Sequence, residues 1–449
     1  MGTTRLNLIS LTTLPKSVER LKSIATEFTY SYANIESPDE IIELDGKYHD
    51  VKMGVFDMIS EPNISKITQY IQGIKFAFPD LFILLISHSK ISPAEIHYMK
   101  NSGVNIIITE TDFFETSKVE YITSQIIRAA FVPAKVNEFD AGIKLDFTLY
   151  HLMPLAERLM PIIPKGAEIT KARLAKLEGI GELFIRRDDI PKYVAYCNRP
   201  EDRSAEGLTK RCRSRYLSLC HSHSKLVFNL IDQSDSATFK EGKTIYETCE
   251  ALSKELLYAL TLTGEPWSIV NNSAMGEFGS TERSPTVAAY AGTICVNAQF
   301  DNPVPIMMAS LICDLGMLEL PPKIMTKIRK ASGTSTLTPD ELKQYQNHPK
   351  RSLGICLDKK LSLDNSLRDI ILYTHERKDG LGFPDQRTDG PVESMVILFA
   401  EMVDTAAMLT MGRARKPIEE IRKEVVAREI QDAKIFSYNF LLKMKNALA

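Results

Sequence analysis

Between Met307 and Leu409 the chain gathers side chains of the kinds that hold divalent ions or move protons. They are Cys313 and Asp314 in CDLGM, His348 before Pro349 in LTPDELKQYQNHP, His375 after Thr374 in THERKDGLGFP, and Glu401 in FAEMVDTAAML. Imidazoles and carboxylates suit Zn²⁺, Fe²⁺ or Mn²⁺, and a thiolate suits the softer of these. Each residue also has a purely structural reading. His348 can be a helix-end residue, Cys313 a small core residue of the apolar MMASLICDLG segment, and Glu401 the partner of Arg377 or Lys378. Two further histidines, His221 and His223, are spaced i, i+2, so they do not share a helix face and are expected on the surface. Trp267, after Gly264-Glu265-Pro266, is expected to anchor packing at a helix junction.

The four segments, in this order over roughly a hundred residues, make the carboxy-terminal half similar to a degenerate HD-GYP domain. That family comprises metal-dependent cyclic di-GMP phosphodiesterases of bacterial signalling. Its enzymes carry an early histidine, an HD dyad with a following lysine, a His-Pro, a His-His pair leading into DGxGYP, and a closing helix with an aspartate. The resemblance places Arg283 at the early histidine, Cys313-Asp314 at the dyad, Met317 at the lysine, and His348-Pro349 at the His-Pro. Thr374-His375 takes the place of the His-His pair, and Glu401 that of the closing aspartate. Asp379, Gly380, Gly382, Phe383 and Pro384 match the signature turn, which the resemblance implies contacts the ligand; its tyrosine has become Phe383.

The family clamps a phosphodiester between two or more ions, one aspartate bridging them, and lowers the pKa of a bound water. The resemblance implies that Asp314 is that catalytic carboxylate. Arg283, Cys313, Asp314 and Glu401 would surround one ion, and Asp314, His348, Thr374 and His375 the next. A guanidinium cannot ligate and stays charged, so the first site is damaged; the second keeps two histidines and a carboxylate. One or two divalent ions (Fe, Mn or Zn), or none, are expected. The implied function is a regulatory or effector role in cyclic di-GMP signalling with impaired catalysis; the alternative is an active phosphodiesterase with a non-standard metal site. A third reading is a scaffold that binds no nucleotide.

The elements that must position these residues read as a multi-domain chain. Over 1–136, β-prone runs at Leu6–Leu11, Tyr30–Ile35, Val51–Phe56, Leu81–Ile86 and Val104–Ile108 alternate with amphipathic segments at Ser17–Glu27, Pro38–Leu44, Ile64–Phe78, Pro93–Ser102 and Ser117–Ala130. Five βα units predict a parallel α/β sheet, and the order is similar to the flavodoxin-like receiver domain of two-component systems. Asp57 in VFDM stands at the phosphoacceptor position and Ser87 at the hydroxyl, but SLTTLP supplies no acidic pair and Glu110 stands near the lysine's place. Without cation and lysine a transferring phosphoryl group lacks its stabilisation, so Asp57 reads as a relic in a dimerisation or docking module. Residues 137–199 read as a small α+β module, with a short strand at Ile143–Tyr150, a turn at Pro164-Lys165-Gly166, a helix over Ile169–Leu177 and a strand at Glu182–Arg186. Residues 200–215, ending in the basic KRCRSR, read as a linker or helix start. From 216 to 449 the chain reads as all-helical, with windows at Tyr216–Ile231, Thr244–Leu262, Pro285–Ala298, Pro303–Leu315 and Glu419–Lys445.

At 449 residues, with 44% hydrophobic and 25% charged positions, the chain is long enough for several cores. Its net charge of −2 gives no electrostatic footprint for nucleic acid. No apolar run approaches the ~18 residues of a membrane span. Seven scattered cysteines without CxxC spacing argue against a disulfide framework and fit a reducing cytoplasm. The expected partners are cyclic di-GMP, other signalling proteins and a second copy of the chain.

Overall fold

The computed structural model describes residues 4–448 except 38–39, 41–43, 45–47, 59–60, 88–90, 154–157, 179–182, 199–203, 234–238, 275–280, 408–415, 417–419 and 422–434. The expected helices at Pro38–Leu44 and Glu419–Lys445 lie largely outside the described residues.

Five parallel strands form the first sheet: β1 (Leu8–Leu11), β2 (Tyr32–Ile35), β3 (Met53–Asp57), β4 (Phe82–Ser87) and β5 (Ile106–Thr109), in the order β2-β1-β3-β4-β5. This is the flavodoxin-like order of doubly wound sheets. The inner strands β3 and β4 are apolar up to their last residues, Asp57 and Ser87, because helices cover both faces, which buries every residue of β3 and all but the first of β4. The helices are α1 (Pro15–Glu27), α2 (Ile64–Ala77), α3 (Pro93–Asn101), α4 (Glu110–Glu115) and α5 (Lys118–Thr123), the last running into a π-turn over Ser124–Arg128. Local chemistry starts several of them. Asn63 accepts from Lys66 N ahead of α2, and Ser92 with Glu95 closes a capping box at α3, with Pro93 in its first turn.

A second sheet is antiparallel: β6 (Phe131–Ala134), β7 (Leu149–Met153), β8 (Arg158–Ile163) and β9 (Leu183–Arg186), in the order β8-β7-β9-β6. Two expectations change here. Strand β6, read as the tail of the first unit, pairs with β9 instead, and the strand expected at Ile143–Tyr150 begins only at Leu149, with Lys144 making an isolated bridge to Glu168. Gly166, at the expected turn, has φ +82°. Helices α6 (Lys171–Glu178) and α7 (Ile190–Cys197) complete this unit.

The remainder is helical: α8 (Ala205–Ile231), α9 (Lys240–Leu262), α10 (Pro266–Ser273), α11 (Ser284–Asn297), α12 (Pro303–Ile312), α13 (Pro322–Ala331), α14 (Pro339–Gln346), α15 (His348–Asp358), α16 (Asn365–Leu372), α17 (Val392–Ala407) and α18 (Tyr438–Leu448). Residues 205–215, expected as a linker or helix start, are the first three turns of α8, capped by Ser204 on Gly207 N. The basic run is held from within: Arg213 is buried and donates to both oxygens of Glu138 at 2.8 and 2.9 Å and to Tyr193 Oη. Trp267 is buried at the start of α10 and stacks on Tyr290 of α11, the expected packing anchor. All seven cysteines are buried and unpaired, and among the described residues no helix is long and apolar enough to cross a membrane.

The first sheet unit docks on the helical one. Ser117 donates from N to Leu318 O and from Oγ to Leu320 O, Lys118 pairs with Glu319 at 2.8 Å, and Arg329 of α13 pairs with Glu27 of α1 at 2.6 Å. Asp232, at the end of α8, accepts from Ile107 N at 3.0 Å and pairs with Lys100.

Candidate metal centre

Cys313 and Asp314 sit where α12 ends and a 3₁₀ turn over Leu315–Glu319 begins. That turn lies against the start of α15 because residue 316 is glycine: a Cβ there would lie 2.0 Å from the His348 carbonyl oxygen. Ser352, one turn into α15, ties the two together, accepting from Gly316 N at 2.7 Å and donating to Cys313 O at 2.6 Å. The sequence thus uses one glycine and one serine to bring the dyad beside His348.

His348 is fully buried, and its Nδ1 donates to Tyr345 O at 2.7 Å, which turns Nε2 toward the other side chains of the site. Nε2 stands 3.0 Å from His375 Nε2 and 3.4 Å from Asp314 Oδ1, and His375 Nε2 is 4.0 Å from the same oxygen. His375 turns its other nitrogen to Glu401 of α17, with Nδ1 3.5 Å from Oε2. Two imidazole nitrogens and a carboxylate oxygen therefore converge, and Asp314, His348 and His375 form a group with metal-ligand spacing. Cys313, Asp314 and Glu401 form a second such group that shares Asp314. The structural readings of His348 and Cys313 hold as well, since both are buried at helix ends. Glu401 pairs with neither Arg377 nor Lys378; Arg377 pairs with Asp379.

Burial opposes the charge on Asp314, but the hydrogen bond and charge of His348, with His375 and Arg283 beyond, hold its carboxyl down at about 2. Burial pushes Glu401 well above the usual carboxylate range, and the neighbouring Asp314 charge adds to this. Cys313 rises for the same reasons, so its thiol keeps its proton when the site is metal-free. Burial, then the approach of His348, lowers His375 to about 3, leaving a neutral imidazole fit for ligation.

The donor set fits a divalent ion: three ligand atoms converge, and the second nitrogens of both histidines are oriented by Tyr345 O and Glu401. Arg283, expected to repel an ion, is buried at the entry to α11. Its Nε donates to Asp404 Oδ2 at 2.8 Å, and Nη2 to Glu401 O and Thr405 Oγ1, each at 3.1 Å. Asp404 went unnoticed in the sequence; its signal was its place three residues after Glu401, on the same face of α17.

The signature turn closes the site over an aromatic lid. Phe383 stacks on His375, centroids 4.6 Å apart, and Tyr345 and Phe383 both contact the His348 ring. Gly382 permits this, because a Cβ would come within 2.6 Å of His375 O and Glu376 Cα. Glu376, also missed, holds the turn by accepting from Asp385 N at 2.6 Å and Arg387 N at 2.7 Å. Asp379 caps Leu381 N, Gly380 takes φ +70°, and Pro384 follows a cis bond. Thr374 spends its hydroxyl on Ile370 O and Ile371 O, while Met317 packs with Leu320, Ile324, Met325 and Ile328.

Burial also bears on residues outside the site. His221 and His223 are not surface residues: they are 8% and 1% exposed, because α8 has neighbours on several sides. Asp57 is 2% exposed and accepts from Thr12 Oγ1 and Ser17 Oγ, both at 3.0 Å. Ser87 is buried, and Glu110 pairs with Lys16.

A family model described as an HD domain matches residues 267–393. No curated protein matches the chain. Among solved structures, the chain is similar to Bd1817, described as an HDG"Y"P protein from Bdellovibrio bacteriovorus, with 16% identity and a TM-score of 0.45, covering 71% of this chain and 99% of that one. Arg283, Cys313, Asp314, His348 and His375 all fall inside the matched segment, and the helical half of the chain carries an HD domain over residues 267–393.

Proposed function

We propose that the chain is a regulatory or effector protein of cyclic di-GMP signalling, built on an HD domain that keeps one metal position and has given up the other. The observation that carries this reading is the buried Arg283–Asp404 ion pair at 2.8 Å, set beside Glu401. A fixed guanidinium there supplies the positive charge that a second ion would bring, but it cannot activate water or ligate. Asp314, His348 and His375 would hold the remaining ion, which when bound lowers the pKa of a coordinated water and polarises a phosphoryl oxygen. The chain's own residues orient both imidazoles and cover the site with Phe383 and Tyr345, while Arg283 is held by Asp404. Loss of the two-ion clamp removes stabilisation from the attacking and leaving oxygens, so binding outlasts turnover. The flavodoxin-like unit serves as a docking or dimerisation module, its Asp57 being closed off by Thr12 and Ser17.

One observation favours a second reading, an active phosphodiesterase with a non-standard site: Cys313, Asp314 and Glu401 also converge. That site requires a thiolate at Cys313, against the upward push of burial. Cyclic di-GMP binding and hydrolysis by the full chain separate the two. Binding without turnover is expected, and multiple turnover at a rate typical of enzymes, ~1 s⁻¹ or faster, would overturn the regulatory reading in favour of the second.

A further inference from the structure

We propose that the cleft where both sheets meet α8 binds a mononucleotide-sized ligand, an anion of phosphate type carrying a planar ring. The cleft has a volume of about 790 Å³ and is remote in sequence from every residue of the metal centre. Three elements supply its floor: Gln125 from the π-turn after α5, Arg187 from the end of β9, and His221 with Ser224 and Lys225 from α8. Polar atoms there lack partners. Gln125 is 4% and His221 8% exposed, yet Gln125 Oε1, His221 Nδ1 and the buried Arg187 Nη1 make no hydrogen bond. A buried donor or acceptor left unmade is costly, and native proteins leave few of them. Three such atoms belong to residues that line one cleft.

The charge around the cleft says what kind of ligand it suits. Lys52 pairs with Asp50 at 2.7 Å and Arg186 with Asp80 at 3.2 Å, so those cations are answered. Arg187 and Lys225 form no ion pair among the described residues. Glu282 lines a small adjoining cavity with Arg187 and accepts from the Ser124 hydroxyl, and Asp188 is a further carboxylate at the cleft, so the cleft's five cations, Lys52, Lys75, Arg186, Arg187 and Lys225, still outnumber its carboxylates. Burial, then the charges of Lys225 and Arg187, lowers His221 to about 3, which agrees with two unanswered cations beside it. An anion accepting from Arg187 and Lys225 removes the deficit with charge-assisted bonds. Aromatic rings also line the cleft: Phe228 and Phe82 lie 5.8 Å apart at 43°, and Phe131 is a third, all partly exposed. Such rings accept a flat heterocycle by stacking.

Calorimetric titration of the full chain with AMP, GMP, adenosine and inorganic phosphate tests this. AMP or GMP is expected to bind at least about tenfold more tightly than adenosine, the worth of one charge-assisted bond, and more tightly than phosphate. Lys225→Glu, at an exposed position, and Arg187→Met are each expected to weaken nucleotide binding by at least about tenfold, while His375→Ala leaves it unchanged. Failure of both nucleotides to bind at millimolar concentration would overturn the proposal. So would unchanged affinity in Lys225→Glu, or loss of binding in His375→Ala alone, which would place the nucleotide in the metal centre.

Discussion

Arg283 Nε donates to Asp404 Oδ2 across 121 residues of sequence, and both side chains are almost wholly buried beside Glu401. On the proposed reading the Arg283 guanidinium, held in place by Asp404, stands where a second ion would bring its charge. Removing one partner strands the other, so Arg283→Met should cost about 3–5 kcal/mol in urea unfolding. Arg283→His combined with Cys313→His restores two imidazoles beside Asp314 and Glu401 and should add roughly one metal ion per chain. No gain in bound metal would count against the assignment of these two positions.

Glu401 faces His375 Nδ1 at 3.5 Å, the place of an orienting carboxylate. Glu401→Gln should therefore weaken metal binding by about 10–100-fold without abolishing it, whereas Asp314→Asn removes a ligand and should abolish it. Equal losses in the two variants, read by competition with a chelator of known affinity, would make Glu401 a direct ligand.

Asp57 is closed off by two hydroxyls and has no acidic neighbour after β1 to hold a cation. Incubation with small phosphodonors should leave it unmodified by mass spectrometry of its peptide. A phosphoryl adduct on Asp57 would refute the docking-module reading.

Much of this was legible in the sequence, for physical reasons that differ by region. Strands β4 and β5 announce themselves as runs of Ile and Leu because they are largely buried, whereas the edge strand β2, Tyr-Ala-Asn-Ile, is only half-buried. The convergence of Asp314, His348, His375, Glu401 and Cys313 was legible only through their order along the chain. Strands β6 and β8 carry Pro133 and Pro161; both lie at edges of their sheet, where a missing N–H is tolerated. The partner of Arg283 was hidden by sequence distance. His221 and His223 misled because the i, i+2 argument assumes one buried face, and α8 is covered on several.

His223 illustrates the consequence of that burial. Its Nε2 donates to Leu311 O at 2.8 Å, and burial, with Arg187 adding and Leu311 O opposing, lowers it to about 4. The fold favours the neutral ring, whereas the unfolded chain takes up a proton below its ordinary pKa of about 6.5. The stabilisation is thus complete above pH ~6.5, falls as pH drops toward ~4, and is level below, totalling on the order of 3 kcal/mol. His223→Gln keeps a donor for Leu311 O and should flatten that part of the stability profile; His221 accounts for part of the slope that remains. An unaltered profile in His223→Gln would show that this ring is not held neutral.

The most direct test of the central claim is metal content per chain, by elemental analysis of protein purified without chelators, in the wild type and in His348→Ala and His375→Ala. A single retained site predicts close to one ion per chain, drawn from Fe, Mn and Zn, and its loss in either variant. Two or more ions per wild-type chain, accompanied by hydrolysis of cyclic di-GMP, would contradict it.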